Sequence, residues 1–316
     1  MHRGGAIASS DLRTLEENND NKELIAYVKT PYQKAHIFWT EVSGLHLFLD
    51  GTTQTVESDE RIYHESLVHA AMLAHPLPRN VLILGGGEGA VLREVLAHTS
   101  VEHVSMVEID GEVVALCREF MPTWSDGAFD DSRTSLVIGD AKEYVDSRLS
   151  DRSVDVVIMD LVDPMVGVAN AFPAYQPEFF RTMLTKLTAT GVLVMQAGQV
   201  DEDDEQGIVP FAKLLHELHA VFPFVSYYTK YIRSFDGFWG FIIACVSPRC
   251  NDSPIINPEA TPAFVDKLIA ERVHAKHTLH SFDGESNRGM FSVNRETRAA
   301  LAAMTDVQHE RTIRHA

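Results

Sequence analysis

The sequence predicts an α/β protein: a seven-stranded, mostly parallel sheet covered by helices, preceded by a small antiparallel β-domain. Three observations predict it. From Asn80 onward, apolar runs of strand length alternate with amphipathic segments, the pattern of a parallel sheet with helices on its faces. Between Leu24 and Glu60, short runs rich in β-branched and aromatic residues are broken by Ser-Gly and Asp-Gly turn signals. Further on, two apolar runs flank an Arg-Ser-Phe-Asp-Gly segment and read as an antiparallel hairpin at the end of the sheet.

Taken in order, residues 1–22 are polar and acidic with no period that would bury a face, and are expected to form a flexible tail. Residues 23–76 are assigned to the N-terminal β-domain, with strands in ELIAYVKT, KAHIFWTEV, LHLFLDG and TTQTVES. A helix over Tyr63–Ala74 follows, stopped by Pro76 and Pro78. Residues 77–316 are assigned to the large domain. Its strands are NVLIL (80–84), VSMVEI (104–109), SLVI (135–138), VDVVIMD (154–160) and GVLVMQ (191–196). Helices fit VLREVLAH, GEVVALCREF, AKEYVDSRL and PEFFRTMLTKL between them, and FPFVSYYTK with FWGFIIACVS makes the hairpin. The acidic run DEDDE (201–205) reads as a solvated loop. Beyond Pro258, ERVHAKH and NRETRAALAAM read as helical segments packed on the sheet or on a neighbouring subunit.

Length and composition bound the function. A chain of 316 residues exceeds what one core usually fills, and 45% hydrophobic with 23% charged residues is ordinary for a soluble globule. A net charge of −18 is the wrong sign for gripping phosphate backbones or anionic lipid, which removes nucleic acid and membrane surfaces as expected partners. No apolar leader and no membrane-length apolar run occurs, so a cytoplasmic protein is expected. The three cysteines, Cys117, Cys245 and Cys250, show no spacing of a metal clip or disulfide framework, and the expectation is a reducing compartment.

The motif LILGGGEGAVLREVL sets Gly85, Gly86, Gly87 and Gly89 between a buried strand and a helix, where the backbone can approach a nucleotide or nucleoside. Gly85, Gly87 and Ala90 also satisfy the dinucleotide fingerprint, but Glu88 puts a carboxylate where a pyrophosphate would need positive potential. A nucleoside with a cationic side chain fits instead. Glu108, ending the next strand, is placed to accept from both ribose hydroxyls. Asp140 in VIGDA is placed to meet an adenine amino group, and it also suits a helix N-cap ahead of AKEYV. In VVIMDLVDP, Asp160 and Asp163 bring two more acids to the crevice that holds Glu88. Burying such charge is expensive unless a cation normally sits there, either a polyamine or a metal. The histidines lack metal-ligand spacing beside these acids, so no metal is assigned. Among His64, His69 and His75, His64 is singled out.

GGGEGAVLREVLAH, MVEID, GDA, DLVDP, the upstream YHE and the VMQAG strand together resemble the polyamine aminopropyltransferases, the spermidine and spermine synthases, from about Tyr32 to the C-terminus. The resemblance implies a Rossmann-like, methyltransferase-type sheet behind the small β-domain. It also implies transfer of an aminopropyl group from decarboxylated S-adenosylmethionine to a polyamine, spermidine or putrescine, releasing 5′-methylthioadenosine, with no tightly bound cofactor. Glu88 in place of the usual Asp, Ala141 in place of Gly, Leu161-Val162 inside the acidic motif, QAG and DGFWGF with Trp239 look closest to plant-type thermospermine synthases. By motif, Gln33, His64, Glu88, Glu108, Asp140 and Ala141 would hold the donor with the glycine turn. Tyr63, Asp160 and Asp163 would hold the acceptor, at an end shared with His64, Glu88, Trp239 and Phe235, which replaces a usual tyrosine. Asp160, steered by Tyr63, would be the catalytic base. A homo-oligomer, dimer or tetramer, is implied on the same ground. The chemistry of the residues agrees, because a primary amine near pKa 10.4 must lose its proton before it can attack carbon. Ordinary S-adenosylmethionine would bring its own carboxylate against these acids. A spermidine or spermine synthase, a methyltransferase with the same sheet plan, and a polyamine- or nucleoside-binding protein without turnover are the competing readings.

Overall fold

The computed structural model describes residues 22–162, 173–200, 205–256 and 261–304. The expected tail (apart from Lys22), Asp163 with the segment to residue 172, and the first four residues of the acidic run lie outside the described residues.

Four strands, β1 (Glu23–Lys29), β2 (Lys34–Thr40), β3 (Gly44–Leu49) and β4 (Thr52–Val56), form an antiparallel meander. Their period-2 pattern puts Ala35, Ile37 and Leu47 on one face. That face packs on helix α3 (Gly111–Phe120) through Val113 and Cys117, and on Trp124. Trp124 donates its indole N–H to Thr55 Oγ1 at 3.0 Å, so the one polar atom of this buried ring is paired.

The large sheet has seven strands in the order β10-β11-β9-β8-β5-β6-β7. They are β5 (Asn80–Gly85), β6 (His103–Glu108), β7 (Thr134–Ile138), β8 (Val154–Asp160), β9 (Leu187–Gln199), β10 (Phe224–Ile232) and β11 (Gly237–Cys245). The first four run parallel, β9 continues them on β8, and the β10–β11 hairpin pairs antiparallel on β9. The seven-stranded sheet and the four-stranded sheet before it are as the sequence predicts. Alternation divides the core. Ile83, Val156, Ile158, Val192 and Val194 face one layer, and Leu82, Leu84, Val157, Met159, Leu193 and Met195 face the other.

Helix α1 (Glu60–Ala74) begins one turn earlier than the spacing suggests and packs against β8, β9 and β10 through Leu67, Val68 and Ala71. Its packing thus sets it against the large sheet. α2 (Ala90–Leu96) and α3 follow the readings of their segments closely. Of the acidic run only Glu205 is described. It opens a helix, Glu205–His219, whose Ile208, Phe211, Ala212, Leu215 and Leu218 repeat at helical spacing and are buried on the second layer. In the C-terminal part, ERVHAKH is only briefly helical. The helix Pro262–Arg272 ends there because Val273 turns extended and bridges His98, with Thr99 N donating to Arg272 O at 2.8 Å. Residues 295–304 are helical as expected.

The cysteine reading is corrected at one pair. Cys245, at the end of β11, and Cys250, in the turn Pro248–Asp252, form a disulfide, because the turn folds back and sets their Cα atoms 6.2 Å apart. Cys117 is a buried free thiol. Among the described residues no helix is long and apolar enough to cross a membrane.

Candidate active site

The strand order reverses at β5. From there the chain steps outward to β6 and β7, then returns to place β8 and β9 on the other side. A crevice opens at the carboxyl ends of strands at such a switch point. Here it is a cavity of about 500 Å³, lined from the large sheet by Gly85, Gly86, Gly87, Glu88, Glu108, Asp140, Ala141 and Asp160. The small sheet contributes Gln33, Leu49 and Gln54, helix α1 contributes Tyr63 and His64, and the hairpin contributes Phe235 and Trp239. Every residue expected at the site lines this one cavity except Gly89 of the glycine turn and Asp163, the latter outside the described residues.

The turn after β5 is shaped by Gly85, at φ +84°, whose Cα faces the carbonyl of Asp160 so closely that a Cβ would collide with it. Gly86 N then donates to the same carbonyl at 3.2 Å. The glycine turn and the base candidate are thus joined backbone to backbone. Above them the Tyr63 hydroxyl donates to Asp160 Oδ1 at 2.6 Å, and the Tyr63 ring is held edge-on by Phe235 at 5.8 Å between centroids.

Glu88 is buried, with His64 Nε2 3.1 Å from its Oε1. Burial alone would depress the His64 pKa, but the Glu60 and Glu88 carboxylates on its two sides raise it to about 10. Both ring nitrogens face acceptor oxygens, an arrangement that favours the doubly protonated ring. The ligand atoms of His64, Glu88 and Asp160 lie within 4.8 Å of one another, so two carboxylates converge beside the ring where a cation could sit. A second convergence, of His69, Glu94 and His277, surrounds a carboxylate already bound by Arg93 Nε at 2.8 Å.

Glu108 is held upright at the end of β6 by the backbone N–H of Asp110, 2.9 Å from Oε1. Burial raises its pKa to about 7, with the Glu88 and Asp110 charges adding to the effect and backbone N–H groups opposing it. Asp140 takes the N-cap role, with Glu143 N donating to its Oδ1 at 2.8 Å, and still lines the cavity beside Ala141. Gln33 donates from Nε2 to Asp110 Oδ2 at 3.0 Å. Among the described lining residues Lys142 is the sole lysine or arginine, and it is paired with Asp146.

Sequence reasoning missed Gln196. Buried near the end of β9, it accepts from Trp239 Nε1 at 3.2 Å and donates to the Leu161 carbonyl, tying the hairpin to the turn after Asp160. A glutamine at the end of an otherwise apolar strand run was the available signal. Asp110, which fixes Gln33 and caps α3, was also missed, and its place one residue before a Gly-initiated helix was the clue.

Comparison with known proteins agrees with this geometry. The chain is 39% identical over 286 residues to polyamine aminopropyltransferase 2 of Hyperthermus butylicus, covering 90% of this chain and 88% of that one. It is 40% identical over 256 residues to polyamine aminopropyltransferase 2 of Pseudomonas aeruginosa, covering 81% of this chain and 69% of that protein. Among solved structures it is similar to a spermidine synthase in complex with the transition state analogue AdoDATO, with a TM-score of 0.77, 29% identity and coverage of 89% and 88%. It is also similar to the spermidine synthase of Thermotoga maritima, with a TM-score of 0.74, 28% identity and coverage of 88% and 87%. The profile of the spermine/spermidine synthase domain matches residues 60–253, the stretch that carries the glycine turn, Tyr63, Glu108 and Asp160. The chain belongs to the spermine/spermidine synthase family.

Proposed function

We propose that the protein transfers the aminopropyl group of decarboxylated S-adenosylmethionine to spermidine, giving thermospermine and 5′-methylthioadenosine. Family membership supports the reaction class, and the observation that carries the mechanism is Asp160, set by the Tyr63 hydroxyl at 2.6 Å at the edge of the glycine turn. The acceptor amine gives its proton to Asp160 while its nitrogen bonds the propyl carbon. The carbon–sulfur bond breaks, and its electron pair stays on sulfur as a neutral thioether. The sulfonium leaves readily, so the protein's contribution is alignment and charge placement. Glu88 faces the donor's ammonium, Glu108 its ribose hydroxyls, and Gln33, Asp140 and Ala141 line the nucleoside end. Asp163 is assigned to the acceptor by motif alone.

Thermospermine as product is supported by Leu161 and Val162 lining the cavity beside Asp160 and by the Phe235–Trp239 pair, 4.5 Å between centroids, which makes that end apolar and devoid of the usual tyrosine hydroxyl. A second reading, transfer to putrescine, is favoured by the solved neighbours, which are spermidine synthases. Incubating labelled donor with putrescine or spermidine, and separating products against 3-3-4 and 3-4-3 tetraamines, distinguishes them. The 3-4 triamine should yield the 3-3-4 product. Activity on putrescine alone, or pure spermine, would overturn the thermospermine assignment. In the same assay Asp160→Asn should lower turnover by at least about a hundredfold, the scale of a general base, while donor binding is retained.

A further inference from the structure

Two buried charged residues have no part in the scheme above. Glu60 and Arg93 are 6% and 5% exposed, and neither lines the cavity, yet Glu60 stands directly behind His64, which does. His64 Nδ1 lies 2.7 Å from the Glu60 carbonyl oxygen and 3.0 Å from Glu60 Oε2, and Nε2 lies 3.1 Å from Glu88 Oε1. A backbone carbonyl and ionised carboxylates only accept, so each ring nitrogen presents a proton. Arg93 Nη2 donates to the same Glu60 Oε2 at 2.9 Å, and the guanidinium is itself fixed by Glu94 Oε1 at 2.8 Å and the Trp124 carbonyl at 2.6 Å. Arg61 approaches the other Glu60 oxygen at 3.5 Å. On the remaining sides of His64 stand the Tyr63 ring, edge-on at 5.0 Å, and the Asp160 carboxylate.

We propose that Glu60, clamped by Arg93, is a positioning residue that keeps His64 doubly protonated and its Nε2–H on Glu88, so that Glu88 turns its other oxygen to the donor's ammonium. The identity of that ligand rests on the aminopropyl-transfer reading, whereas the state of His64 is a property of the free protein. The consequence is a matter of charge. An imidazolium beside Glu88 and Asp160 leaves the group one net negative charge, which a single ammonium balances. A neutral imidazole, its Nδ1–H kept by the Glu60 carbonyl, would have no N–H left for Glu88, whose carboxylate would then be free to turn away from the donor's ammonium.

Nitrogen-15 NMR of the imidazoles between pH 6 and 10, with His64 assigned by its loss in His64→Asn, reads the proposal directly. In the wild-type protein both His64 nitrogens should carry protons at pH 8. In Glu60→Gln the second proton should leave at least about one pH unit earlier, as expected for removal of an adjacent carboxylate. The donor KM should then exceed the wild-type value by about fivefold at pH 10, where the variant ring is mostly neutral and the wild-type ring about half protonated, with kcat little changed. That defect should shrink at pH 6, where the ring regains its proton, and Glu60→Asp should restore most of it. A wild-type His64 that titrates near the ordinary value overturns the proposal without any variant. A KM loss in Glu60→Gln that ignores pH also overturns it, since that marks a merely structural role. Absence of aminopropyl transfer by the wild-type protein would instead refute the functional reading and leave the titration to be judged by itself.

Discussion

Glu108 is the residue whose chemistry is most open to a pH experiment. Its carboxyl is raised from the ordinary carboxylate range to about 7 chiefly by burial. The folded state therefore holds this proton more tightly than the unfolded chain does. The stability it contributes is fully present below the ordinary carboxylate pKa and is lost as pH rises through about 7. Ribose hydroxyls donate well only to the ionised form. Donor binding at pH 6 should accordingly release close to one proton and at pH 9 almost none, with affinity rising between the two. Calorimetry in buffers of different ionisation enthalpy measures the release, and Glu108→Gln should abolish its pH dependence. Single residues of this kind were legible in the sequence when strand-end position alone placed them: Glu108, Asp140, Asp160 and Glu88 each follow an apolar run and all line the cavity. Glu60, Arg93, Asp110 and Gln196 were not, because their partners lie dozens of residues away in the chain and a single sequence carries no record of such pairings.

At the scale of elements, the turn from β5 into α2 is the most constrained piece of backbone. Gly85→Ala would force a side chain onto a residue at φ +84° and against the Asp160 carbonyl, so β5 and β8 could not keep their register. Strain of this type costs about 1–3 kcal/mol before the clash is counted. The variant should melt several degrees lower and lose donor binding along with turnover, as thermal denaturation and calorimetry would show. A variant of wild-type stability and affinity would refute the account of the turn. Element identity was readable where the hydrophobic period was clean, as in β8 and α3, whose bounds coincide with the expected segments. The helix Glu205–His219, with Pro210 inside it, was left unassigned, and the reading failed at ERVHAKH, where pairing with His98 ended a helix that local propensity would continue. The Cys245–Cys250 bond escaped for a related reason, since only the turn between them reveals their proximity.

For the whole molecule, the net charge of −18 becomes a kinetic property if the acceptor is a polycation. A negative protein field draws a trivalent amine toward the cavity, and salt screens that field over a Debye length of about 10 Å at 0.1 M. Raising sodium chloride from about 20 mM to about 500 mM should lower kcat/KM for spermidine by roughly tenfold while kcat changes little. Steady-state kinetics at fixed donor checks this, and an unchanged kcat/KM would show that the field plays no part in capture. The two-sheet plan was legible because two periodicities meet near residue 60. The packing of helix α1 was not, since its sequence neighbours are β4 and its spatial neighbours are β8, β9 and β10. Gly85 and Asp160 close adjacent parallel strands at one level of the sheet. The gap between the glycine turn and Asp160 is thus measured by interstrand spacing, about 4.8 Å, a ruler made of amide hydrogen bonds. Under the proposed function, efforts to retarget the enzyme to other amines should leave that ruler alone and recut the apolar wall at Leu161, Phe235 and Trp239, which line the cavity beside Asp160.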